Sequence, residues 1–224
     1  MKIIYEILDA HHKNSKSPLI LLFIGLALGW WVYVPFHELL HALGCIISGG
    51  EVTRLEISTI YGGGVLAQFF PFVVEGSKYS GQLTGFDTYG SDFTYMTTVL
   101  LPYLLTLWPG WFMLLSNKSY QSPIVAGFFF PWALAPLMAI TGDMYEAGSI
   151  IATDILLFFG YIIHVERWRS DDLFLLWQEL DTVGMTWLDI QVISLSTGFA
   201  FVLIILFISG GYKLSSHVRQ SSGS

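Results

Sequence analysis

His37-Glu38-Leu39-Leu40-His41 places two imidazoles four residues apart, with a carboxylate beside the first. On a helix this spacing stacks both histidines on one face, where they can converge on a single metal ion, and the adjacent glutamate can reach a water activated by that ion. The chain holds 6 His in all, so two of them meeting around a glutamate in this pattern is a specific signal. Zn2+ is the metal the pattern calls for, with Glu38 as the catalytic general base of a hydrolysis. Catalytic zinc takes three protein ligands and keeps a fourth position for water, so a third ligand must come from elsewhere in the chain.

The elements that must deliver it are apolar. Stretches of about 20 apolar residues, enough to cross ~30 Å of hydrocarbon, occur at 18–48, 93–116, 123–141, 145–164 and 190–209. The expected fold is therefore a polytopic α-helical membrane protein with about five transmembrane segments. The first stretch would make a helix of about 46 Å with Pro35 inside it, so it is expected to kink, tilt or split there.

Ionisable groups within a bilayer cost several kcal/mol unless paired or wet, which makes each one a functional candidate. Within the five stretches the acidic and basic side chains are Glu38, Glu146 and Asp154, with Asp143 just before the fourth. If the first segment runs from face A to face B, alternation of the next ones puts the junction at 141–148 on face B, with the two histidines. Asp143 and Glu146, three residues apart and on one face of a helix, are the candidate third metal ligands; the acid not selected could orient a histidine or cap the helix. Asp154 is expected to bond a buried hydroxyl or to be protonated. Cys45 falls on the same helix face as His37 and His41, but a fourth protein ligand would close the site, so a small buried residue is expected. His164 reads as interfacial, and His11, His12 and His217 as solvated.

Between the first two segments, 49–92 is the long polar-enriched stretch. Leu55 and Ile57 alternate with Arg54, Glu56 and Ser58, Gly62-Gly63-Gly64 follows, and 65–74 is apolar and aromatic, a pattern that predicts a small β-hairpin after the metal helix. Leu173, Phe174, Leu176, Trp177, Leu180 and Val183 recur at helical spacing after Ser170, a candidate N-cap, and predict an interfacial helix within 165–189 that packs on the protein. The organisation is then a lead-in at 1–17, a membrane-embedded metalloprotease domain at 18–210, and a tail at 211–224 that ends in a disordered Ser221-Ser222-Gly223-Ser224.

Composition excludes other classes. Of the 224 residues 54% are hydrophobic and 12% charged, against about 25% charged in soluble proteins, which argues against a soluble enzyme. With 10 Lys+Arg, 17 Asp+Glu and no basic cluster, no nucleic-acid partner is expected. The single cysteine cannot form a disulfide within the chain.

On these residues the chain resembles the site-2 protease group of intramembrane zinc metalloproteases and related membrane zincins. The resemblance runs from His37-Glu38-Leu39-Leu40-His41 through Gly49-Gly50-Glu51-Val52 and Gly62-Gly63-Gly64-Val65 to the acidic motif near residue 143. It implies an integral membrane, multi-pass zinc metalloendopeptidase that cleaves transmembrane protein or peptide substrates in the lipid bilayer. It also implies a small membrane-embedded sheet near the active site and a carboxylate ligand from a later helix. The Asn-Pro…Asp-Gly motif usual at that ligand is absent here; its aspartate would align with Glu146, whereas the related zincins match Gly142-Asp143.

The rivals are a zinc-binding scaffold or transporter without enzymatic activity, and an amidohydrolase acting on lipid. Glu38 argues against a scaffold, which needs ligands only, and the lack of charge in the second and fifth stretches argues against a transporter. An unwound substrate segment is expected to pair with the edge of a strand at 65–74. Lysine and arginine counts favour a cytoplasmic N-terminus, while the resemblance implies the opposite orientation.

Overall fold

The computed structural model describes residues 18–116 and 122–222 together with Asp9. The lead-in at 1–17 with His11 and His12, and Gly223-Ser224, lie outside the described residues. In chain order the elements are α1 (Pro18–Ile47), β1 (Glu51–Ile57), α2 (Gly63–Leu66), β2 (Val73–Glu75), β3 (Gly81–Asp87), α3 (Asp92–Leu114), α4 (Pro123–Met138), α5 (Asp143–Phe158), α6 (Leu173–Val183) and α7 (Trp187–Ser222).

The chain is mostly helical, and four helical spans are long and apolar enough to cross a membrane: Leu19–Ile47, Asp92–Leu114, Pro123–Phe158 and Trp187–Val218. The five expected segments resolve into four because α4 and α5 form one interrupted span. Two facts give its direction. Gly25 and Gly29 of α1 lie against the Ile124 and Phe128 backbones, so α4 runs parallel to α1. Tyr103 of α3 bonds Asp143, Tyr95 bonds Glu146, and Arg169 bridges Asp92 to Asp154, so α5 runs antiparallel to α3 and continues in the direction of α4. With the start of α1 on face A, α3 returns from B to A, α4 and α5 go back to B, and α7 returns to A, where Ser215 bonds the Trp108 carbonyl. The junction at 141–148 is therefore an interruption inside a span, not a loop on face B.

The interruption has local causes. Pro131 and Pro136 each remove a backbone donor from α4, and Gly142 ends the turn that follows. Its backbone groups are satisfied within the protein: Gly142 N and Met144 N donate to the Ala139 carbonyl, and the Thr141 carbonyl accepts from Leu173 N at 2.8 Å. The core beside it draws on all five long helices, through Tyr33, Tyr103, Leu107, Ala135, Met144, Ala200 and Ile204. α1 itself is unbroken through Pro35.

The sheet differs from the expected hairpin. β1 has the predicted alternation, with Leu55 and Ile57 fully buried, but its antiparallel partner is β3 and its parallel partner is β2, giving the order β2-β1-β3. Residues 65–74 are not one strand. Gly62 takes a left-handed turn at φ 79°, and a Cβ on Gly63 would lie 2.1 Å from the Ile57 carbonyl oxygen, so the chain folds tightly back on β1. A single turn, α2, then brings it round to run parallel. The sheet folds back along α1: Trp31 Nε1 donates to the Ile60 carbonyl at 2.6 Å, about 24 Å from the α1 terminus at Ile47 by helical rise. The seven residues of β1 span about 23 Å at strand rise.

Two further expectations shift. The N-cap of α6 is Asp172, whose carboxylate accepts from Phe174 N and Leu175 N, rather than Ser170. The final helix passes the expected boundary at 210 and includes Ser221 and Ser222, expected to be disordered.

Candidate metal centre

His37 and His41 project from one face of α1, and Asp143, the first residue of α5, comes up to them from the interrupted span. His37 Nε2 lies 3.1 Å from Asp143 Oδ2, His41 Nε2 lies 3.4 Å from the same oxygen, and the two Nε2 atoms are 3.0 Å apart. A tetrahedral zinc with ligands at about 2.0–2.1 Å separates its ligand atoms by about 3.3 Å. The three side chains therefore match a metal-sized space, and His37, His41 and Asp143 could hold a metal ion.

Tautomers strengthen the fit. His41 Nδ1 is 2.8 Å from the Thr98 carbonyl oxygen, which can only accept, so Nδ1 carries the proton and Nε2 presents a lone pair to the triad. That carbonyl is free because its helical partner four residues on is Pro102, which has no N–H. His37 Nδ1 is 2.8 Å from the Tyr33 hydroxyl, and when Nδ1 is the donor in that pair its Nε2 is left for a metal. Tyr103 donates to Asp143 Oδ2. Two ring lone pairs and a carboxylate at mutual contact repel one another unless a proton or a metal cation lies between them.

Glu38, half-buried, lines a cavity of about 660 Å³ together with the triad. Its carboxylate has no hydrogen-bond partner among the described residues. It is held sterically by the sheet: a Cβ on Gly81, at the start of β3, would sit 2.4 Å from Glu38 Cγ, so only glycine fits there. Gly81, Gln82, Leu83, Thr84 and Phe86 bring the edge strand β3 along one wall of the cavity, and 169–172 form the facing wall. Gln82 Nε2 reaches across to Asp171 at 2.9 Å.

The remaining sequence candidates lie apart from the triad. Glu146, one turn beyond Asp143, lines the cavity but accepts from the Tyr95 hydroxyl and is outside the metal-sized group. Asp154 pairs with Arg169 at 2.5 Å rather than with a buried hydroxyl. Cys45 is buried, with Sγ near the Glu51 and Asp87 carbonyls. His164 and His217 are exposed. The supporting residues Tyr33, Thr98, Tyr103 and Gly81 went unremarked in the sequence; Tyr33 alone had a legible signal, being four residues before His37 on the same face.

Comparison with family models, with curated proteins and with solved structures finds no match to this chain.

Proposed function

We propose that this protein is an intramembrane zinc metalloendopeptidase, with His37, His41 and Asp143 as metal ligands and Glu38 as general base. The observation that carries the reading is the convergence of three ligand atoms within 3.0–3.4 Å on the wall of a cavity that Glu38 also lines. A bound zinc ion supplies Lewis acidity toward a water and toward the scissile carbonyl. Glu38 takes the proton of the attacking water and hands it to the leaving amine, so proton count balances over one turnover. Gly81 holds the Glu38 side chain toward the cavity, and Tyr33, Tyr103 and the Thr98 carbonyl fix the three ligands.

A peptide is favoured over a lipid amide because β3 is an edge strand along the cavity, and an unpaired edge binds extended backbone. The edge next to the metal site is β3, so the substrate segment pairs there and not at 65–74. In a membrane an open strand edge must face protein or water, so the cavity is the water-filled route from face B to the site.

The test is to purify wild type and Glu38→Gln in detergent, measure zinc per chain, and follow cleavage of a transmembrane peptide. Zinc in both with cleavage only by wild type supports the peptidase; equal cleavage, or zinc in neither, overturns it.

A further inference from the structure

We propose that Glu146 forms a subsite for a cationic group, the lysine or arginine side chain that follows a membrane-embedded peptide segment. The inference deepens the peptidase reading and rests on it for the identity of the substrate.

Glu146 lies one turn of α5 beyond Asp143, on the face-B side, and is only 8% exposed. Its Oε1 accepts from the Tyr95 hydroxyl; Oε2 has no hydrogen-bond partner, and no lysine or arginine pairs with the residue, among the described residues. Arg169 is the one described lysine or arginine that lines the cavity, and its guanidinium is taken up by Asp92 at 2.6 Å, Asp154 at 2.5 Å and the Thr153 hydroxyl at 3.0 Å. A carboxylate this enclosed, open only to the cavity, is costly without a counter-charge. It lines the cavity, so a cation can reach it from there.

The placement suits a peptide. β3 starts at Gly81 beside Glu38 and passes Phe86, whose ring lies 5.9 Å from that of Tyr95. A chain paired with this edge therefore meets Glu38 first and the Tyr95–Glu146 pair next, toward face B. Three residues of α5 separate Asp143 from Glu146, about 4.5 Å of rise. Same-side residues of an extended chain repeat at about 6.8 Å, and the long stems of lysine and arginine cover the remainder. Membrane segments commonly carry these residues just past their ends.

The test measures binding, so it does not depend on turnover. Zinc-loaded Glu38→Gln protein, with and without Glu146→Gln, is titrated with fluorescent transmembrane peptides that differ in one residue near one end: lysine, glutamine or glutamate. With Glu146 present the lysine peptide is expected to bind roughly tenfold more tightly than the glutamine peptide, and Glu146→Gln brings the two to parity. Tyr95→Phe, which frees the carboxylate from its one hydrogen bond, is expected to raise the lysine preference, and it carries the test if Glu146→Gln fails to retain zinc. Absence of a lysine preference, or a preference that neither substitution changes, overturns the subsite. Failure of wild type to cleave any peptide overturns the peptidase reading separately.

Discussion

His41 takes its tautomer from a proline on another helix. Pro102 cannot donate to the Thr98 carbonyl, and that carbonyl accepts His41 Nδ1–H instead. Pro102→Ala supplies a competing donor within α3, so metal affinity is expected to fall roughly 10–100-fold, as for other losses of a ligand's outer partner. Tyr103→Phe, which removes the donor to Asp143, should fall in the same range; both are checked by competition with a zinc chelator. Asp143→Ala is expected to abolish stoichiometric zinc, while Glu146→Ala keeps it, since Glu146 stands on Tyr95. The two histidines and Glu38 were legible from spacing because they share one helix. The choice between Asp143 and Glu146 was not, because both lie on one face of α5, and the point at which the interrupted span resumes sets which one reaches the triad. Pro102 is visible in the sequence, but Thr98, whose carbonyl it leaves free, and the histidine that uses that carbonyl meet only in the folded bundle.

At the scale of elements, β3 and the interrupted span do the positioning. Gly81→Ala forces the backbone of β3 or the side chain of Glu38 to move, because the added Cβ would lie 2.4 Å from Glu38 Cγ. The expected outcome is full zinc content with cleavage reduced about a hundredfold, the cost of a misplacement near 1 Å; loss of zinc together with activity would mean that the ligands, not the base, had moved. Packing between α1 and α4 is closer still, since a Cβ on Gly29 would lie 2.1 Å from the Phe128 carbonyl oxygen. Gly29→Leu should therefore separate these helices and destabilise the protein by more than the ~1–3 kcal/mol of ordinary overpacking, read as a lowered unfolding temperature in detergent. The sequence showed β1 plainly because its inner face is apolar at every second residue. It did not show the order β2-β1-β3, because three consecutive glycines do not fix a register and the parallel partner returns through a single helical turn. The merging of two apolar stretches into one span was hidden for a related reason: prolines and a glycine can end a helix at a surface or interrupt it inside, and hydropathy is the same in both cases.

For the whole molecule, the number of spans decides where the ends lie. Four crossings would return the chain to the face from which α1 starts, whereas five would leave the ends on opposite faces. The same count sets the depth of the site. Asp143 lies about 16 Å of helical rise below Asp154, whose partner Arg169 also binds Asp92. This places a charged layer at one end of the spans and His37, His41 and Asp143 well inside the bundle. Phe23, Phe201 and Ile205 are more than half exposed, compatible with a lipid-facing surface, while His37, Glu38, His41, Asp143 and Glu146 line the cavity. The prediction is that reporters placed ahead of Pro18 and after Ser222 are both reached from one side of sealed vesicles. A cysteine at Glu51 or Glu179, exposed near the opposite ends of the spans, should be labelled by an impermeant maleimide only from the other side. Reporters on opposite sides would restore a fifth crossing, separate α4 from α5 by a loop on face B, and remove Asp143 from the depth at which the histidines lie. Such a result would undo the metal centre and the topology together, because the third ligand reaches the first two only through an interruption inside the span.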